Sequence, residues 1–175
     1  MKKLLLLTIL FLGLNAKAQT TNDQFSINFL IPSAEYEVSV SDNATIDGML
    51  GFGFAYRNSS FQDEAQFGVY PQLTGQYRYY YNFKKRQRKG KKTSENSANY
   101  IAGVGMLSVG DPLFGDLELL SDYTVLIGPA WGLQRVYNSN FKLNLNLGLG
   151  YAFDEYDSYI APLIDIQLGF KLGRD

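Results

Sequence analysis

Apolar and polar residues alternate along most of this chain. In FKLNLNLGLGYAF, residues 141–153, Phe141, Leu143, Leu145, Leu147, Leu149, Tyr151 and Phe153 are apolar, and the residues between them are polar or small. Side chains point to opposite faces along a strand, so the segment predicts a β-strand with one greasy face. The same period predicts strands over 45–57, 67–83, 123–137 and 159–172, and less cleanly over 99–109. Near the start, Phe25, Ile27, Phe29 and Ile31 are odd, whereas Tyr36, Val38 and Val40 are even. The phase switches at Pro32-Ser33. A bulge there gives seven strands and a tight turn gives eight. The connections are polar and turn-like, with no helix-period segment, so the strands form a meander that packs as a sandwich or closes into a barrel.

The character of the second face decides between protein core and lipid. It is built from Gly, Asn, Gln, Thr and single charges, while dense Lys and Glu sit in the connections. The predicted strands reach 13 to 17 residues, longer than is usual in soluble folds. Residues 141–153 place aromatics at both ends of the greasy face and aliphatics between. Tyr77, Tyr79, Tyr81 and Phe83 close the 67–83 strand, and Tyr100 opens the next. Aromatic girdles around an aliphatic band mark an outer-membrane barrel. The expected fold is all-β: a closed antiparallel up-and-down transmembrane β-barrel of about eight strands. A secreted barrel holding an apolar ligand is the rival.

The first residues sharpen this. Lys2 and Lys3 precede an apolar stretch from Leu4 to Leu14, and Ala16-Lys17-Ala18 supplies a small-x-small cleavage site. That pattern predicts a signal peptide over 1–18 and a barrel domain over 19–175. The apolar stretch is too short to span a bilayer comfortably. Beyond residue 18 there are thirteen basic and seventeen acidic residues, a charge of −4, so no global signal for nucleic acid exists. The chain has no cysteine and no histidine, which excludes thiol chemistry, imidazole-based catalysis and histidine metal sites.

PSAEYEVSVSDNATI, QYRYYYNFKKRQRKGKKTSENSANYIA, GPAWGLQR and APLIDIQLGFKLG carry a resemblance to the small OmpA/OmpX-type outer-membrane barrels, above all uncharacterised ones from Bacteroidota. It covers nearly the whole chain after residue 18. It implies an eight-stranded barrel in the outer membrane of a Gram-negative bacterium, and no known reaction. The ending departs from the commonest pattern, because Phe170 is followed by Lys-Leu-Gly-Arg-Asp.

Several residues are candidates for a role. Glu35, Glu37, Arg78 and Lys171 fall on the lumen face at similar levels, which predicts an ion-pair plug; a proton gate or an acid–base pair is the functional alternative. The glycine pairs 51/53, 103/105 and 148/150 are expected in the lumen, where they permit tight curvature. The run KKRQRKGKK holds Lys84, Lys85, Arg86, Arg88, Lys89, Lys91 and Lys92. It reads as a solvated turn or as a binder of phosphates. Acidic residues at 63, 64, 111, 116, 118, 122, 154, 155 and 157 gather in the other connections, where calcium bridging to lipopolysaccharide competes with plain solubility. In LFGDLELL, 113–120, Leu117 and Leu119 share the phase of Val125, which predicts a strand extension; a partner contact is the alternative.

The sequence therefore favours a non-enzymatic barrel with a structural or interaction role, without catalytic residues, cofactor or metal. Its expected partners are membrane lipid and a protein reached through 110–122 or 84–92. The alternatives are a small pore, a lipid-modifying enzyme and a soluble apolar-ligand binder. The terminal strand of such barrels ends in the periplasm, so alternation places the basic run there and the acidic loops outside.

Overall fold

The computed structural model describes residues 21–57, 65–109, 111–117 and 121–173; residues 1–18 lie outside them. The strands are β1 (Gln24–Asn28), β2 (Ser33–Ser41), β3 (Ala44–Arg57), β4 (Gln66–Tyr80), β5 (Asn99–Val109), β6 (Phe114–Gly115), β7 (Tyr123–Val136), β8 (Phe141–Phe153) and β9 (Ser158–Leu172). One short helix, α1 (Phe83–Arg88), follows β4. The hydrogen-bonded order β3-β2-β1-β9-β8-β7-β5-β4, with β3 pairing β4 in turn, closes a ring of eight antiparallel strands. Sequence neighbours pair throughout, as an up-and-down meander requires.

Alternation sorts the faces. On β8, Lys142, Asn144 and Asn146 are buried inside the ring, while Leu147, Leu149 and Tyr151 are exposed outside it. The phase break near Pro32 is a turn over residues 29–32, which separates β1 from β2. Proline offers no N–H, so Pro32 cannot carry the ladder further.

Four expectations are corrected. Tyr100, Ala102 and Val104 of β5 point inward, so Tyr100 lies in the lumen and Gly103 and Gly105 face out. Gly132 explains this: a Cβ on it would lie 2.2 Å from the Tyr100 ring, so only glycine leaves the aromatic a place inside. Phe83 is also buried, its ring 5.1 Å from that of Tyr80, and does not join an outer girdle. The basic run is a helix followed by a turn at Gly90, not an open loop. Its cations cluster in the last helical turn, where the dipole favours them. Finally, 113–117 does not prolong β7. Phe114 and Gly115 fold back onto Val69 and Gly68 of β4, and the Tyr70 hydroxyl donates to the Leu117 carbonyl. Leu119 lies outside the described residues.

The ring is incomplete at one end. The lower end carries the start of β1, the end of β9, and the β2–β3, β4–β5 and β7–β8 connections. From there β1 rises only to Asn28, and its pairing with β9 stops at Gly169. β2 begins at Ser33, opposite Gly51. Above this hairpin, β3 from Phe52 to Arg57 pairs only with β4, and β9 from Ser158 to Gln167 pairs only with β8. Among the described residues no strand fills the gap between them. By contrast, the upper edge of β4 is covered by β6.

Candidate functional site

The lower lumen holds a network to which all eight ring strands contribute. Arg78, on β4, is 2% exposed and stands at its centre. Its Nη1 lies 3.3 Å from Glu35 Oε1 and 3.7 Å from Glu37 Oε2, and its Nη2 lies 3.0 Å from Asp47 Oδ1. Nε donates to Gln76 Oε1 at 3.0 Å, and Nη1 also reaches Gln134 Oε1 at 3.2 Å. The guanidinium carbon sits 5.1 Å from the centre of the Tyr100 ring, a cation–π distance. A planar fork with five donors can serve several acceptors at once, which one ammonium cannot match.

The second cation is Lys142 on β8, whose Nζ is 2.6 Å from Glu35 Oε1. Glu37 takes donors from Thr45 and Tyr80 hydroxyls, both at 2.6 Å, from Gln134 Nε2 at 3.0 Å and from Gln24 Nε2. Asn28 donates to Glu35 Oε2 at 3.2 Å. Three carboxylates and two cations thus share a buried space, held by neutral donors from five further side chains. Buried charges persist only under such dense pairing, because each ion has lost its hydration.

The chain of bonds continues upward. The Tyr100 hydroxyl donates at 2.9 Å to Asn144 Oδ1 and at 2.8 Å to Asn146 Oδ1. Asn146 donates to Asp165 Oδ2 at 3.1 Å, and Gln167 to Asp165 Oδ1 at 2.7 Å. Asp165 and Gln167 form the floor of a cavity of about 500 Å³ in the upper lumen, with Met106, Leu126 and Leu163 on its walls. Below the network Tyr80, Phe83, Ala98 and Tyr100 pack as an apolar stopper.

Of the four residues read from sequence, the structure brings Glu35, Glu37 and Arg78 together. Lys171 lines a recess at the lower rim with Asn22, Asp23, Gln24 and Glu95, and Lys142 makes an ion pair to Glu35. Asp47, Lys142, Tyr80, Tyr100 and Gln134 had not been singled out. Asp47 and Lys142 were legible as lumen-facing positions; their reach to Arg78 and Glu35 was not. Strands in such rings tilt, so a hydrogen-bonded row is not a level, and matching distances from the turns misplaces partners.

Gly51, Gly53, Gly148 and Gly150 do face the lumen. The basic segment is tied to the lower end: Lys92 Nζ is 2.7 Å from Glu95 Oε2, and Arg86 Nη2 donates to the Lys92 carbonyl at 2.9 Å. Lys85, Arg86, Lys89 and Lys91 converge with Arg135 of β7 around one surface recess. Beside it, Trp131 Nε1 donates to the Tyr81 hydroxyl at 2.8 Å. Among the described residues, no group of acidic side chains is gathered to hold a metal ion; Asp63, Glu64 and Glu118 lie outside them.

Arg78→Leu removes the shared counter-charge, and we expect it to cost about 3–5 kcal/mol. Adding Glu35→Gln, Glu37→Gln and Asp47→Asn in that background should recover part of the loss, read by urea unfolding of refolded protein. Strict additivity of the four changes would show that the groups do not act as one network.

Compared with family models, curated proteins and solved structures, the chain matches none.

Proposed function

We propose that this chain is an integral outer-membrane β-barrel of the small OmpA/OmpX type, exported by its first 18 residues. Its role is structural or interactive, and it is non-enzymatic. The observation that carries this reading is an inverted distribution of polarity. The charges are inside: Arg78, Glu35, Glu37, Asp47 and Lys142 are each at most 2% exposed. The outer face carries Leu50, Phe54, Leu149, Ile160 and Ile164 at 62–75% exposure. A soluble protein does not leave so continuous an apolar belt in water. Aromatics bound the belt: Tyr77, Tyr79, Tyr81, Phe141 and Phe170 below, and Tyr56, Phe67, Tyr123 and Tyr151 above. Hydrocarbon also demands paired backbone, which a ring of strands supplies.

The network supports a sealed lumen and disfavours a pore. Eight strands enclose a space that side chains can fill, and here charged and amide groups fill it. Each of its carboxylates is engaged through at least one oxygen with a cation or an amide or hydroxyl donor, the pattern of a structural plug. The recess of Lys85, Arg86, Lys89, Lys91 and Arg135 lies next to the lower aromatic row, at the height of lipid headgroups. Phosphates of the inner leaflet are its fitting partner. The folded-back 113–117 segment, with Leu113 and Phe114 exposed, is the surface for a protein partner at the other end.

Three measurements test the reading. Leu147→Arg, at the middle of the outer face of β8, should destabilise the barrel by about 2–4 kcal/mol in lipid vesicles; an unchanged unfolding midpoint would remove the lipid-facing assignment. In planar bilayers the refolded protein should give no unitary current steps, and steady steps would replace the plug with a pore. Trypsin added to intact cells should spare residues 84–92 and cut there once the outer membrane is permeabilised. Cleavage in intact cells would invert the topology.

A further inference from the structure

The gap above the β1–β2 hairpin and the cavity behind it belong together. Phe52, Phe54, Ile164 and Ile166 point outward on β3 and β9, yet they line the same cavity as the inward-facing Met106 and Leu126. The cavity therefore passes through the wall. The hairpin that forms the lower sill turns through Phe29, Leu30, Ile31 and Pro32, all apolar, whereas the other short turns are built from Asp, Asn, Ser and Glu with a single Tyr at 137 and at 156. Phe29 and Leu30 are 53% and 51% exposed, and Phe29 packs 5.9 Å from Phe170 on the outer face. Four apolar side chains in succession suit a surface beside an apolar phase better than one beside water.

We propose that this gap is a lateral portal through which the acyl chain of a membrane lipid enters the upper lumen. The inference rests on the barrel's lying in a bilayer. Three features select the occupant. The rim is continuous with the lipid-facing belt, so a chain passes from hydrocarbon to cavity without crossing water. Inside, it meets the apolar faces of Met106, Leu126 and Leu163 beside the polar Gln72, Ser108 and Thr124, and Asp165 and Gln167 bound its depth. The cavity's 500 Å³ falls within the roughly 300–1,000 Å³ of small-molecule sites. A β-strand from another protein fits less well. Pro162, within the free stretch of β9, has no N–H to offer a docking strand, and an added strand would cover the edge without filling the space behind it.

The test uses the refolded full-length mature chain in vesicles containing a phospholipid with a diazirine on its acyl chain. Irradiation is followed by residue-level mass spectrometry. The expected result is label on Met106 and Leu126 comparable with that on the outward Leu147 and Leu149, and none on Asn144 or Asn146. Ala161→Trp, which fills the cavity beside β9, should lose the lumen label and keep the outward one. Label confined to outward residues overturns the portal and leaves the barrel standing. Lumen label that persists in Ala161→Trp overturns the lateral route. No label on Leu147 or Leu149 overturns the membrane reading itself, and the portal with it.

Discussion

A guanidinium buried away from bulk solvent must be surrounded by acceptors, and much of this fold can be understood from where Arg78 finds them. Its three carboxylates come from β2 and β3, and its neutral partners from β4 and β7. Glu35, pulled between Arg78 and Lys142, links β2 to β8 across the ring. No two adjacent strands could satisfy such a group alone. The network therefore rewards the closed arrangement over any open meander and fixes the strands against one another from inside. A buried ion pair is weak support for stability as such, but leaving one partner unmatched is costly. That asymmetry makes the arrangement specific: alternative registers that strand Arg78 or Glu37 are penalised.

The interior is divided by chemistry along its axis. At the bottom, Phe83, Tyr80 and Tyr100 make an apolar stopper; the charge network stands on it; Asn144, Asn146, Asp165 and Gln167 continue the polar ladder; and above them the lumen widens between Met106, Leu126 and Leu163. Small residues set where each layer fits. Gly132 yields its side-chain volume to Tyr100, and Gly53 yields its own to Gln72. The wall follows the same division. Among the described residues it is complete around the charged layer and interrupted around the layer above it.

The connections divide likewise. The lower end is capped by folded protein, with α1 tied through Arg86, Lys92 and Glu95 and the N-terminal stretch held by Asn96 on Asn22. Cations exposed on this cap face one side of the proposed membrane. At the opposite end, the 113–117 segment covers the projecting edge of β4, the usual remedy for unpaired strand groups, while the edges of β3 and β9 are left to the cavity.

The sequence by itself determined most of the strands and most of their faces, and left their number at seven or eight. A period of two is local: Leu143 to Leu149 point one way and Asn144 to Gly150 the other whatever the rest of the chain does, and the phase break at Pro32-Ser33 marks the end of one strand and the start of the next. Glu35, Glu37 and Arg78 were legible as lumen residues for the same reason. Three things waited for the tertiary structure. Tyr100 inverted the expected face of β5 because a cavity opposite Gly132, thirty-two positions away in sequence, accepts its ring. Lys142 reaches Glu35 because strand tilt, not distance from a turn, sets which side chains meet. The opening in the wall arose because β1 and β2 are short relative to β3 and β9, a mismatch visible only once the four strands are neighbours. Periodicity is a property of a segment; level, packing and closure are properties of pairs of segments, and only the closed ring assigns the pairs.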